Sequence, residues 1–189
     1  MTEKLISCLK KIEKERNLVK GAAALLIAAI LLALSVAIGM PQVAALLPGI
    51  VVIRPELAVT LIFPATFIGG LILGAVLTAV MKMLGLKGKY FDGLATITYP
   101  TLILSVGMII TALVTYIPYV GGVIAFFVVL VFATLGFTAY FRLLMDLFKA
   151  DLITALVAIL IVTGVVSMAL SAAGMISLQQ LLPKFPLPI

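Results

Sequence analysis

The chain contains no histidine and a single cysteine, Cys8, and only 11% of its 189 residues are charged. Without histidine there is no histidine acid–base catalysis, and the lone cysteine excludes a Cys/His metal site and an intrachain disulfide. The sequence also has no nucleophile elbow, glycine-rich phosphate loop or metal-ligand spacing. We therefore predict a protein that is not an enzyme and that holds no cofactor or metal.

Apolar residues dominate what is present: 65% of the chain is hydrophobic and the mean hydropathy is +1.38. A soluble domain carries about 25% charged residues, so this composition indicates a membrane protein. A helix needs about 20 apolar residues to cross the hydrocarbon layer, and no segment alternates like a barrel strand. We predict an all-α polytopic bundle with five membrane spans, at residues 21–40, 57–84, 94–117, 121–141 and 152–176.

The segments outside the predicted spans have different compositions. Within residues 1–20, apolar side chains recur at helical spacing among lysines, which predicts a short amphipathic helix on the inner membrane surface or, alternatively, a partner-docking helix. Pro41 is expected to end the first span, and residues 41–56 are predicted to lie along the outer interface. The proline-rich tail 177–189 is predicted to be irregular and extracytosolic.

The basic residues predict the orientation. With five spans, the N-terminus, the 82–93 loop and the 142–151 loop lie on one side, and the positive-inside rule assigns this side to the cytosol. That side holds Lys4, Lys10, Lys11, Lys14, Arg16, Lys20, Lys82, Lys87, Lys89, Arg142 and Lys149. We thus expect a cell-membrane protein with a cytosolic N-terminus and an extracytosolic C-terminus. The net charge of +6 is interpreted as a topology signal, so no nucleic-acid partner is expected.

Arg142 and Asp146 are four residues apart and share a helix face. An ion pair inside the membrane would mark a functional site. Counting about 20 residues from Gly121 instead predicts that the pair lies at the headgroups, where arginine can extend to water. Asp92 and Asp151 precede apolar runs and are predicted to be helix N-caps.

Small residues and prolines give further candidates. Gly70 and Gly74 lie on one side of the second span, a spacing that favours close helix packing, either within the chain or in a homodimer. Pro64 and Pro100 are expected to kink the second and third spans. Such kinks open a cavity or only adjust curvature, and the sequence leaves both alternatives open.

The stretch TYIPYVGG joins the third and fourth spans and superficially resembles a channel filter. Its position predicts an ordinary outer turn instead. Pro118 is expected to end the third span, and Gly121 and Gly122 to supply positive φ angles for the reversal. Tyr116 and Tyr119 then fall at the headgroup level, where aromatic belts lie.

Several motifs occur in a characteristic order along the chain. GLKG at 85–88 is followed by Tyr99-Pro100, by Ile117-Pro118 before a glycine, and by a last loop that leads into an alanine-containing helix. In this order they resemble the Yip-one (Ypt-interacting protein one) domain family in its prokaryotic form, and the basic opening segment is similar to that of archaeal members. The resemblance covers nearly the whole chain and implies five membrane helices with a cytosolic N-terminus.

Eukaryotic relatives in that family bind Rab-type GTPases and act in vesicle traffic. The acidic Asp-Leu-Tyr-Gly-Pro motif typical of those relatives is absent here, and the N-terminal segment is short. GTPase binding is therefore not expected of this chain.

The leading functional prediction is a non-enzymatic integral membrane protein that acts by association with the lipid bilayer, with a membrane-protein partner or as a homo-oligomer. Such association would serve, for example, to organise the membrane or to scaffold partner proteins. The alternative is a small-solute transporter or channel, working as a dimer. Its path would be lined by Tyr99, Ser105, Thr134 and Thr138.

Overall fold

The computed structural model describes residues 17–46 and 55–181, and all regular secondary structure within these ranges is α-helical. This confirms the predicted all-α class. The described helices are α1 Leu18–Leu46, α2 Pro55–Met83, α3 Tyr90–Val114, α4 Gly121–Phe148 and α5 Leu152–Leu181.

Four of these helices contain stretches that are long and apolar enough to cross a membrane, namely Leu18–Gly39, Val59–Met83, Tyr90–Val114 and Gly121–Phe148. Only 11% to 33% of the most apolar part of each stretch is buried inside the chain. Most of these apolar side chains therefore face outward, which is favourable in lipid and unfavourable in water. In α5 the described apolar stretch is Leu152–Met168, so the fifth span stays a prediction.

Helix α3 lies in the centre of the bundle and packs against α1, α2 and α4. Gly21 lies against Leu94 near the start of α1 and α3, and Gly39 lies against Ala112 near their other ends. These two helices are therefore parallel, while α2 and α4 run in the opposite direction. Helix α5 lies at the edge, against α2 and α4.

A cluster of buried hydrophobic residues joins α2, α3, α4 and α5 near the connections α2–α3 and α4–α5. Its members include Leu77, Met81, Phe91, Leu144, Phe148, Ala155 and Ala158. We call this end of the bundle the basic end, because every Lys and Arg in the described ranges lies there: Lys20, Lys82, Lys87, Lys89, Arg142 and Lys149. The opposite end holds the turn between α3 and α4, at residues 115–120.

Helix α1 continues through Pro41 to Leu46, so the proline that was expected to end the first span lies inside the helix. Proline has a φ that fits a helix, and its cost is a lost N–H donor and a clash with the preceding turn. The donor lost here would have served the carbonyl of Ala37. The neighbouring Ile38 carbonyl accepts a hydrogen bond at 2.9 Å from the hydroxyl of Tyr116, which lies in the turn after α3.

Other helix boundaries also differ from the predicted ones. Helix α4 continues beyond residue 141 to Phe148, where Lys149 takes a left-handed conformation with φ 56°. Charged side chains do not end a helix that has left the hydrocarbon layer, so hydropathy alone underestimated its length. Helix α5 continues to Leu181, so residues 177–181 of the predicted tail are helical. Predictions for 1–16, 47–54 and 182–189 lie outside the described residues.

Candidate functional site

The basic end carries the Lys and Arg side chains of the described chain. Helices α1, α3 and α5 begin there and α2 and α4 end there, so their terminal side chains converge at the boundary of the apolar layer. Lysine and arginine can place their aliphatic stems along apolar surface and their charges at the headgroups. Among the described residues, one groove opens beside the α2–α3 loop and another along α4.

The first, which we call the loop groove, has a volume of about 390 Å³. It is lined by Lys82, Leu86, Lys87, Gly88, Lys89 and Asp92. The three lysines are exposed, whereas Asp92 is only 1% exposed. The groove thus has an excess of positive charge at its surface.

The loop has a fixed shape because α2 ends in a Schellman motif. Gly85 has φ +83°. Its N–H donates to the Lys82 carbonyl at 3.0 Å, and the Leu86 N–H donates to the Met81 carbonyl at 3.0 Å. This pattern satisfies the last carbonyls of a helix and needs a residue that tolerates positive φ. The chain therefore turns sharply at Gly85 and enters the groove.

Gly88 attaches the loop to the end of α4. A Cβ atom at this position would overlap the Phe148 ring, and Phe148 is itself 1% exposed within the buried cluster. The loop backbone consequently rests on an aromatic ring that cannot move aside easily. Sequence reasoning identified the loop by its glycines but had no means of finding Phe148, which is distant in the chain.

Asp92 lies in the first turn of α3 and is not the predicted N-cap, because α3 begins at Tyr90 and Lys89 is the N-cap residue. Its carboxylate Oδ2 accepts the Lys89 backbone N–H at 2.7 Å. This contact is the second half of a capping box, in which the third helical residue bonds back to the cap. The carboxylate therefore stabilises the start of α3.

Asp151 is an N-cap as predicted. Its Oδ1 accepts the Thr154 backbone N–H at 3.3 Å, and its carbonyl accepts the Ala155 N–H at 3.0 Å. A hydrogen bond from the Thr154 side chain is the main reason that the pKa of Asp151 is lowered. Hydrogen bonds to a carboxylate favour its charged form.

The second groove, along α4, has a volume of about 510 Å³ and is lined by Phe137, Thr138, Phe141, Arg142, Met145 and Asp146. Arg142 Nε lies 3.7 Å from Asp146 Oδ2, and the two side chains are 41% and 53% exposed. The predicted pair therefore forms, at the basic end and with substantial exposure. Exposed pairs of this kind are weak.

Gly70 and Gly74 both lie at helix contacts within the chain. A Cβ at Gly70 would be 2.8 Å from Leu25 of α1, and one at Gly74 would be 3.0 Å from the Cα of Leu94 in α3. The small-residue side of α2 thus faces α1 and α3. Of the two alternatives left open by the sequence, this geometry corresponds to packing inside the chain.

The hydroxyl residues proposed for a solute path lie in different environments. Ser105 is fully buried in α3 and donates to the Thr101 carbonyl at 2.7 Å. Thr134 and Thr138 are exposed on α4 and donate to carbonyls one turn back. Tyr99 packs against the buried cluster.

Pro100 is buried inside α3, which continues on both sides of it. Pro64 likewise lies inside α2. Thr98, two residues before Pro100, is one of the span hydroxyls expected from the sequence to bond a carbonyl one turn back. Its Oγ1 is buried and, among the described residues, has no hydrogen-bond partner. A threonine in a membrane helix usually bonds back to the preceding turn, so no feature of the sequence distinguishes this one.

The turn at 115–120 reverses the chain differently from the prediction. The positive φ lies at Tyr119, at 64°, and not at Gly121 or Gly122. Gly121 is needed for space, because a Cβ there would lie 2.5 Å from the Val114 carbonyl oxygen. The expected turn is confirmed, but Gly121 serves close approach and the start of α4, whereas a Cβ at Gly122 would meet nothing within 4 Å.

Tyr116 connects this turn to α1. Its hydroxyl donates to the Ile38 carbonyl, as described above, while Tyr119 is fully exposed. Pro118 lies exposed within the turn, four residues after Val114 ends α3. Helix α3 therefore ends before the proline that was expected to stop it.

Together the helices and their charged end define a polytopic, all-α integral membrane protein. The model of the Yip1 domain matches residues 7–178, which is nearly the whole chain. The chain therefore belongs to the Yip1 domain family, as the order of its motifs indicated. No curated protein and no solved structure matches it.

Proposed function

We propose that this chain is a non-enzymatic membrane protein that acts by association with proteins or lipids in the bilayer. The observation that carries the proposal is that hydroxyl groups in the spans form hydrogen bonds within their own helices. Hydroxyl side chains along the spans donate to carbonyls of their own helix three or four residues back: Ser35, Thr78, Thr96, Thr101, Ser105, Thr111, Thr134 and Thr138.

Because these hydroxyls bond locally, they offer little to a passing solute and cost little in lipid. The outward faces are left apolar, with large exposed side chains such as Phe126, Phe127 and Leu160. Charge is concentrated at the basic end. A chain built this way meets other molecules through apolar helix faces within the bilayer and through cations at its surface.

The proposed location is the cell membrane, with the basic end and the N-terminus in the cytosol. Support comes from the positive-inside rule, which relates excess Lys and Arg near span ends to the cytosolic side. The proposed partners are lipids of the bilayer, another membrane protein or a second copy of the chain.

Photo-crosslinking in native membranes tests association. A photoreactive amino acid would replace one exposed residue on each of four helices in the full chain: Ile27, Leu61, Phe127 or Leu160. Replacement of the buried Ala139 serves as the control. We expect a discrete protein or lipid adduct from one or two neighbouring faces. Equal, low-yield adducts with bulk lipid from all four positions would contradict the proposal.

Solute flux distinguishes the transport alternative. Liposomes containing the full chain would be loaded with ions and with small neutral and charged solutes. We expect release no faster than from protein-free liposomes. Selective release, abolished by changing Ser105 or Thr138, would favour transport and overturn association as the primary activity.

A further inference from the structure

We propose that the loop groove binds the phosphate group of an anionic lipid headgroup. This inference rests on the proposed function and makes it more specific, because it names the chemical class of one partner and the residues that bind it. The binding residues are the three lysines at the groove, with Leu86 as an apolar wall.

The position of the groove brings it to the level of lipid phosphates. The candidate span in α2 ends at Met83 and the one in α3 begins at Tyr90. Residues 84–89 join two spans at the same face of the bilayer, and the headgroup layer on each face is only about 5–7 Å thick. A loop this short holds its lysines within reach of that layer, whichever face it occupies.

The charges around the groove favour an anion. Lys82, Lys87 and Lys89 are exposed, and the one acidic residue that lines the groove is Asp92. That carboxylate is buried and accepts the Lys89 backbone N–H, so its charge is partly compensated within the helix start. Three cations against one buried carboxylate leave a net attraction for phosphate.

The backbone of the residues that line the groove adds N–H donors, and this segment has a fixed shape. In the described part of the chain, the N–H groups of Lys87 and Gly88 donate to no backbone carbonyl, and both residues line the groove. Gly85 and the Gly88–Phe148 contact hold this segment in place from its two ends. Successive backbone N–H groups next to lysines are a combination that suits phosphate oxygens.

A lipid fits this groove better than a free phosphate or an acidic peptide. Leu86 lines the groove beside the lysines, and Met83, at the end of the α2 span, is 85% exposed. An anionic lipid presents a phosphate to the lysines and an acyl chain to apolar side chains lying toward the hydrocarbon. A free phosphate or an acidic peptide would use only the lysines.

Native mass spectrometry of the purified full chain in a neutral detergent tests the inference. The protein would be titrated with phosphatidylglycerol and, separately, with phosphatidylcholine. The variant Lys87→Gln/Lys89→Gln removes two groove cations. The matched variant Lys20→Gln/Arg142→Gln removes two cations at the same end of the bundle that do not line the groove.

We expect the chain to bind phosphatidylglycerol more tightly than phosphatidylcholine. The groove variant should lose about 10- to 30-fold in affinity for phosphatidylglycerol, since each lysine near an anionic surface contributes roughly one factor of five. The matched variant should lose less than about 2-fold. Thermal unfolding of both variants without lipid should remain close to that of the parent chain.

Equal losses in the two variants would show nonspecific attraction to total charge and would overturn the inference. So would an unchanged affinity in the groove variant. Displacement of the lipid by equimolar glycerol phosphate or by an oligoglutamate peptide would assign the groove to a soluble anion or to a protein, which also overturns it. None of these outcomes affects the photo-crosslinking test, so the groove can fail while association stands.

Discussion

Gly93 of α3 lies directly against Gly74 of α2. A Cβ atom at Gly93 would overlap the Gly74 carbonyl oxygen and Thr78 Oγ1. These two atoms are themselves hydrogen-bonded at 2.7 Å. Backbone and a bonded hydroxyl cannot yield as the end of a flexible side chain can, so the close crossing of α2 and α3 depends on the absence of a side chain at Gly93.

Replacing this glycine should therefore destabilise the bundle. We expect Gly93→Ala to lower the free energy of unfolding by about 1–3 kcal/mol, the usual cost of overpacking. Gly69→Ala is the matched control on α2, where a Cβ would meet nothing within 4 Å. It should be neutral or slightly stabilising, because alanine favours a helix by about 1 kcal/mol over glycine.

Thermal unfolding of the two variants in the same detergent, followed by circular dichroism, measures the difference. The expected order of midpoints is Gly93→Ala below the parent chain and Gly69→Ala at or above it. If both variants had equally lowered unfolding midpoints, helix propensity or detergent sensitivity, and not the crossing at Gly93, would control stability.

The hydrogen bond from Tyr116 to Ile38 should tie the turn end of α3 to α1. Tyr116→Phe removes the hydroxyl and keeps the ring, and we expect it to lower the free energy of unfolding by about 0.5–1.5 kcal/mol. Tyr119→Phe makes the same chemical change three residues away, at a fully exposed side chain, and should have no measurable effect. Chemical unfolding of the two variants in parallel compares them directly.

A lower free energy of unfolding in both tyrosine variants would indicate that the two hydroxyls share an interfacial role. Hydrogen exchange adds a local measurement. Amides of α1 around residue 42 should exchange faster in Tyr116→Phe, since the end of α1 is then no longer held to the turn after α3. Unchanged exchange there, together with unchanged stability, would contradict the proposed tie.

Hydropathy and charge were sufficient to predict the helical class, the approximate positions of four long apolar helices and the convergence of basic residues at one end. These predictions rest on the average composition of stretches of about 20 residues. An apolar stretch of that length must form a helix in lipid, because its backbone groups have no other partners. Helix ends were less predictable. Arg142 and Asp146 interrupt the apolar run and suggested an end, whereas the backbone of α4 continues to Phe148.

Contacts between distant residues could not be predicted. Nothing near Gly88 in the sequence indicates the Phe148 ring, and nothing near Gly93 indicates Gly74. A glycine in a membrane helix has many roles, because small residues are common there. The identity of the partner surface depends on how the helices are arranged in three dimensions, which a single sequence does not specify.

The ion pair of Arg142 and Asp146 should contribute little. Both side chains are exposed and their closest approach is 3.7 Å, and arginine preceding aspartate is the less favourable order on a helix. A double-mutant cycle with Arg142→Gln and Asp146→Asn should give a coupling energy below about 0.5 kcal/mol, decreasing further with salt. A coupling energy above about 2 kcal/mol would place the pair in a dry environment instead.

Asp151 gives a prediction about pH. Its pKa is lowered in the folded chain, mainly by the hydrogen bond from the Thr154 side chain. A carboxylate with a lowered folded pKa stabilises the fold at pH values above its unfolded pKa of about 4. This stabilisation is lost as the pH falls through the folded pKa, because protonation removes the charged acceptor. The start of α5 should therefore be equally protected at pH 7 and pH 5 and less protected in more acidic solution.

Hydrogen exchange at the amides of Thr154 and Ala155, corrected for intrinsic rates, measures this protection. Asp151→Asn keeps a capping side chain that does not titrate, so protection should persist without the acidic loss. Asp151→Ala removes the cap, and protection should be low at every pH. If the parent chain and Asp151→Asn showed the same pH dependence, the loss would come from another group and the Asp151 carboxylate would not control the start of α5.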